Sequence, residues 1–187
     1  MGTRLVWLFT GETTRMRKYG ISAASLATAV LWILLMEFGR LKDIGFVLPL
    51  ILFVDSTIMS LLLAGVTMVF EAQENTLGSM LVTPISKDEY LIAKSLAVTS
   101  CSLSVLICLL IYGMVFKGLS ISIPGVVGAV ILIAFAFSQV GMIITYYAKD
   151  FTDLLMGMFK LVLIFSLPTI LESFQIISGP RVRNIQY

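Results

Sequence analysis

The chain has 187 residues, of which 58% are hydrophobic and 13% charged, and it carries a net charge of +2. That is about half the charge of an average soluble domain, and with a mean hydropathy of +1.00 it is too much apolar surface for a chain this size to hide from water. The small charge excludes a nucleic-acid stripe, and the absence of any histidine removes His-based zinc sites and Ser-His or Cys-His nucleophile pairs.

In chain order, residues 1–19 mix Leu5, Val6, Trp7, Leu8 and Phe9 with Arg4, Arg15, Arg17 and Lys18. This pattern predicts a helix lying in the membrane interface, with Trp7 at headgroup depth and the basic residues toward anionic lipid. The apolar run that follows is too long for a cleaved signal peptide and shows no small-residue cleavage site.

Five apolar runs follow, at about Ile21 to Phe38, Phe46 to Phe70, Leu91 to Phe116, Ile123 to Tyr147 and Leu154 to Ile177. Each is near the roughly 20 residues that cross a bilayer core, so the expected fold is an all-α, polytopic transmembrane bundle forming one domain over 1–187. The first span opens on small residues (ISAASLATA) that let helices approach closely. The second contains Asp55, Ser56 and Thr57, and the third a Ser/Thr run at Thr99, Ser100, Ser102 and Ser104. Pro168 is expected to break the fifth. Cys101 and Cys108 share a helix face roughly 10 Å apart, too far to bridge, and read as small core residues.

Orientation follows from the basic residues. With the N-terminus in the cytosol, Arg4, Arg15, Arg17, Lys18, Lys87, Lys94 and Lys149 lie inside, against Arg40, Lys42, Lys117, Arg181 and Arg183 outside: seven to five.

The polar passage between the second and third runs, Glu71 to Lys94, reads EAQENTLGSMLVTPISKDEYLIAK. Glu71 and Glu74 fall one helical turn apart. Thr83-Pro84 stops a helix, because the proline ring pushes Thr83 out of the α region. Ser86 with Glu89 has capping-box spacing, so a new helix is expected from about Lys87. Taken alone, this is also how an ordinary well-capped turn reads.

The order of residues there resembles the loop between the second and third spans of ABC transporter permeases of the type-2 exporter class, and more narrowly their fluoroquinolone export permease-like branch. The matching positions are Glu71, Glu74, Thr76-Leu77, Thr83-Pro84, Glu89-Tyr90-Leu91 and Lys94. Asn75 stands where that group usually has Gly, and Asn tolerates a left-handed turn better than most residues. The resemblance implies a cytosolic loop over 71–94 whose coupling helix docks on a separate ATPase subunit. Glu71, Glu74, Thr76, Leu77, Met80, Thr83 and Pro84 are then the candidate coupling residues. It also implies a plasma-membrane permease that pairs with itself or a sister permease. Such permeases usually have six spans with an outer hairpin between the fifth and sixth, and the run cut at Pro168 reads as the end of a fifth span and the start of that hairpin.

Charges at membrane depth are functional candidates by default. Asp55, with Ser56, reads either as polar lining of a translocation path or as a hydrogen-bonded structural acid. The branch often has Asp-Pro there, and Ser56 replaces that proline. Lys160 is placed to snorkel toward the cytosolic interface, while Glu37 and Glu172 fall near outer ends. No GxxxxGK[ST] occurs, so the chain has no P-loop to hold nucleotide phosphates. No cofactor is expected in the chain itself, and ATP and magnesium would belong to a partner ATPase. Two readings compete with the exporter: a gradient-driven secondary carrier using Asp55, and a structural or assembly subunit of the membrane. An intramembrane enzyme would need a convergent set of nucleophile, base or metal ligands that the sequence lacks.

Overall fold

A computed structural model describes residues 2–39, 44–74, 86–118, 122–148 and 150–173. These residues form six α-helices and no strand: α1 Gly2–Lys18, α2 Ile21–Phe38, α3 Ile44–Gln73, α4 Lys87–Lys117, α5 Ile123–Tyr147 and α6 Phe151–Ser173. Four of them, α2 to α5, contain windows long and apolar enough to cross a membrane. In hydrocarbon every backbone N–H and C=O must be satisfied internally, and a helix does that within one segment. The chain is a helical membrane bundle.

Helix ends follow local chemistry. Ser86 takes an extended conformation and its side chain accepts a hydrogen bond from the Glu89 backbone N–H at 3.2 Å, so α4 starts at Lys87 as its sequence predicts. At the far end Gly118, at φ 61°, closes α4 in the left-handed region. Gly20, at φ 72°, makes the corner between α1 and α2, a conformation that a Cβ would disfavour. The backbone of α6 continues through Pro168, where a break was expected. A proline removes one N–H from the ladder, which weakens or kinks a helix without always ending it. Pro49 is likewise accommodated within α3.

The bundle is organised around α3 and α4. About half of the span window is buried in each (50% and 56%), against 22% for α2 and 28% for α5, so α2 and α5 turn most of their surface outward. One apolar cluster joins α2, α3, α4 and α5 through Met36, Leu48, Leu52, Leu106, Leu109 and Val130. A second seats α1 on the bundle through Met16, packed with Leu63, Ala97, Val98 and Met142. Close helix approach needs small residues. A Cβ on Gly141 of α5 would fall 2.6 Å from the Leu61 carbonyl oxygen of α3. On α6, a Cβ on Gly157 would fall 2.8 Å from Ile144 of α5. Cys101 is buried with its sulfur 4.0 Å from Met16 Sδ, and both cysteines are free thiols.

Candidate functional site

The segment that separates α3 from α4 is shorter than the polar passage of the sequence. α3 is helical through Gln73, and the Glu74 N–H still donates to the Phe70 carbonyl at 3.0 Å. Thr76, Leu77, Met80, Thr83 and Pro84, with Asn75, lie outside the described residues. What is described is the base from which they leave.

That base is a buried ionic cluster. Glu71, in the last turn of α3, is 0% exposed and uses both carboxylate oxygens. Oε1 is 2.6 Å from Arg15 Nη1 of α1. Oε2 is 2.6 Å from Lys94 Nζ of α4 and also accepts a hydrogen bond from the Tyr90 hydroxyl. Lys94 Nζ donates to that same hydroxyl at 2.9 Å. Glu12, one turn before Arg15 on α1, pairs with it at 3.4 Å and is 4% exposed. Two carboxylates therefore face two cations and the cluster is neutral, which is the condition for burying charge at all. Burial raises the Glu12 carboxyl above its ordinary value, and the Glu71 charge adds to this, while Lys94 and Arg15 offset only part.

Glu74, one turn after Glu71 in sequence, has a different setting. It accepts a hydrogen bond from the Tyr19 hydroxyl, which raises the Tyr19 phenol, and the Tyr19 ring packs on Phe70 with centroids 5.3 Å apart. Its residue is exposed. Of the two sequence-predicted carboxylates, Glu71 lies inside the bundle and Glu74 at its surface.

The opposite end of the bundle carries a second, exposed tie. Glu37 at the end of α2 accepts from the Tyr112 hydroxyl and pairs with Lys117 at 2.9 Å. Between the two ends the spans are linked by single polar contacts. Asp55 of α3 is 3% exposed, and its Oδ1 accepts from Trp32 Nε1 of α2 at 2.8 Å. Ser56 turns back on its own helix and donates to the Leu52 carbonyl at 2.6 Å. Ser60 meets Ser102 at 3.1 Å, and Gln139 Nε2 donates to Ser95 Oγ at 2.6 Å. No buried side-chain nitrogen or oxygen among the described residues lacks a partner.

Four members of the ionic cluster are not among the candidate coupling residues: Glu12, Arg15, Tyr90 and Lys94. Lys94 did carry a signal, since a lone lysine in the apolar run LIAKSLAV is costly unless paired. Its partner lies on another helix. The chain matches no protein-family profile, no curated protein and no solved structure. The class that fold and site define is a polytopic helical membrane protein in which a buried, charge-neutral junction ties three helices together.

Proposed function

We propose that this chain is the membrane-spanning permease subunit of an ATP-driven ABC exporter. It sits in the plasma membrane with its N-terminus in the cytosol and pairs with itself or a sister permease. The ATPase subunits are separate chains and hold the ATP and magnesium. A hydrophobic drug, lipid or peptide is the cargo class that the apolar spans suit.

The observation that supports this reading most is the junction at Glu71. A loop that receives force from a docked motor transmits it only if its two ends are fastened to the spans that must move. Here the end of α3, the start of α4 and the interfacial α1 are joined by Arg15, Glu71 and Lys94 within 2.6 Å contacts. Displacement of the 75–85 segment then moves α1, α3 and α4 as one body. The residue order of Glu71 to Lys94, which resembles the coupling loop of type-2 exporters, supplies the other support. A gradient-driven carrier built on Asp55 is the competing reading, favoured by an acid buried within a span. It leaves the junction and its loop without a role.

Purification of the full chain from its own membrane in mild detergent, with co-purifying chains identified by mass, tests the proposal. A stoichiometric P-loop ATPase is expected, and Glu74→Lys should remove it without impairing membrane insertion. Tyr19→Phe is the control: it breaks the hydrogen bond to Glu74 but keeps the surface carboxylate, so the ATPase should stay. Recovery of the chain alone, or loss of the ATPase in Tyr19→Phe to the same extent, would count against docking at Glu74.

A further inference from the structure

Away from the buried junction, α1 presents an outward face. Trp7, Gly11, Thr14 and Lys18 recur at three- and four-residue spacing, so they form one stripe along the helix. The stripe lines a hollow of about 560 Å³ whose wall also includes Arg15, Tyr19 and Glu74. A Cβ on Gly11 would meet nothing within 4 Å, so the hollow is open there.

Three charged side chains line the hollow, and their states differ. Arg15 is already held by Glu71 at 2.6 Å and by Glu12 at 3.4 Å. Lys18 and Glu74 are exposed, and neither is ion-paired with the other or with any other described residue. Glu74 accepts from the Tyr19 hydroxyl through Oε2, and its Oε1 has no protein partner among the described residues. The Thr14 hydroxyl donates to the Thr10 carbonyl at 2.7 Å, so its proton is engaged and Lys18 remains as the cationic donor. Arg4 and Arg17 are exposed on α1 but do not line the hollow. Its unmatched charges are therefore one cation and one anion.

The spans fix the depth at which these two charges lie. Lys18 is three residues before Ile21, where the α2 span begins, and Glu74 is one residue after Gln73, where the α3 span ends. Both stand at the end of a membrane-crossing helix, which is the level of lipid headgroups. Trp7, 78% exposed on the same stripe, is the residue type that favours this level. A headgroup with one charge of each sign answers both side chains. An anionic headgroup answers Lys18 but meets Glu74 as a like charge.

We infer that this hollow is a headgroup site for phosphatidylethanolamine, with the phosphate on Lys18 and the ammonium on Glu74. The ethanolamine ammonium, like that of lysine, has three N–H donors to offer a carboxylate. The site needs no ATPase. Where an ATPase docks at Glu74, lipid and ATPase compete for that carboxylate, so lipid is counted on the chain by itself.

The test uses the purified full chain in mild detergent, exposed to equal amounts of phosphatidylethanolamine and phosphatidylglycerol with identical acyl chains. Native mass spectrometry counts the lipids retained per chain. The wild type is expected to prefer phosphatidylethanolamine. Glu74→Gln should lower that preference by about fivefold, the upper end for an exposed ion pair. Lys18→Gln should lower retention of both lipids, since each carries the phosphate, and Gly11→Phe, which fills the hollow, should do the same. Arg17→Gln removes an equal charge from the neighbouring position outside the hollow and should leave both counts unchanged. Equal retention of the two lipids by the wild type, a preference for phosphatidylglycerol, or an unchanged preference in Glu74→Gln would overturn the assignment. So would an Arg17→Gln loss as large as that of Lys18→Gln, which would mean diffuse attraction to a basic helix and not a site.

Discussion

Lys94 Nζ lies 2.6 Å from Glu71 Oε2, and neither side chain reaches solvent, at 0% and 1% exposure. The pair joins the third helix to the fourth across the gap from which the 75–85 segment leaves. Because the charges are wholly desolvated, each depends on the other far more than a surface pair would.

Removing one partner should therefore be severe. Glu71→Gln leaves a buried ammonium unpaired and is expected to lower stability by about 3–5 kcal/mol. Lys94→Met should be of similar sign, and the double variant Glu71→Gln with Lys94→Met should lose less than the two singles added together. Arg15→Gln should cost less, since Arg15 is 29% exposed and water can replace it. Denaturation midpoints in detergent read all four. A double variant as unstable as the sum of the singles would mean that the pair is not coupled as its geometry indicates.

Glu12 gives the cluster a pH dependence. Its folded carboxyl is raised above the ordinary 4.5, chiefly by burial. A raised carboxyl binds its proton more tightly in the folded state than in the unfolded one. Its contribution is therefore fully present at low pH and is lost as pH rises from the ordinary carboxylate value through the raised one. Glu12→Gln, which cannot ionise, should lack that decline. The comparison is the midpoint of unfolding against pH for the two chains, which should diverge with rising pH in favour of Glu12→Gln. Parallel curves would show that Glu12 titrates normally.

The helical architecture was legible because apolar run length is a local property. The runs at Ile21 to Phe38 and Ile123 to Tyr147 are α2 and α5 to the residue, and the Ser86 cap fixed the start of α4. The junction was legible only in part. Glu71 was marked by its place at the end of a span, but its partners lie at Lys94 and at Arg15, 56 positions away, and no periodicity reports which helix a charge will face. Asp55 was visible as an intramembrane acid, whereas its donor Trp32 is 23 positions distant on another span. Pro168 misled for the opposite reason. Its local helix-breaking rule is a cost of about 3 kcal/mol inside a helix and not a prohibition.

The Asp55–Trp32 contact separates two roles for the same carboxyl. If it serves as an acceptor for the indole, Asp55→Asn keeps an oxygen in place and should change stability little, while Asp55→Leu strands the Trp32 N–H and should cost about 1–3 kcal/mol. Trp32→Phe should weaken the chain in the same direction. If the carboxyl instead carries a proton or ion across the membrane, Asp55→Asn would stop gradient-driven flux in reconstituted vesicles while leaving the fold intact. Measuring the unfolding midpoint and vesicle flux on the same Asp55→Asn preparation decides between them, and the hydrogen-bond geometry predicts the first result, a stable chain with unaltered flux.

α3 and α5 pack closely at Gly141, and this predicts which glycine tolerates a side chain. A Cβ at Gly141 would lie 2.6 Å from the Leu61 carbonyl oxygen and 3.2 Å from the Ala64 Cβ. The first obstacle is backbone, so it cannot swing aside, and the helices must separate. Gly141→Ala should then destabilise the bundle by about 1–3 kcal/mol, the usual cost of overpacking. Gly128 lies on the same helix and a Cβ there would meet nothing within 4 Å. Gly128→Ala should be neutral or slightly stabilising, because alanine loses less backbone freedom on forming a helix. Unfolding midpoints of the two variants should therefore move apart. A Gly141→Ala chain as stable as Gly128→Ala would mean that α3 and α5 do not pack at this distance.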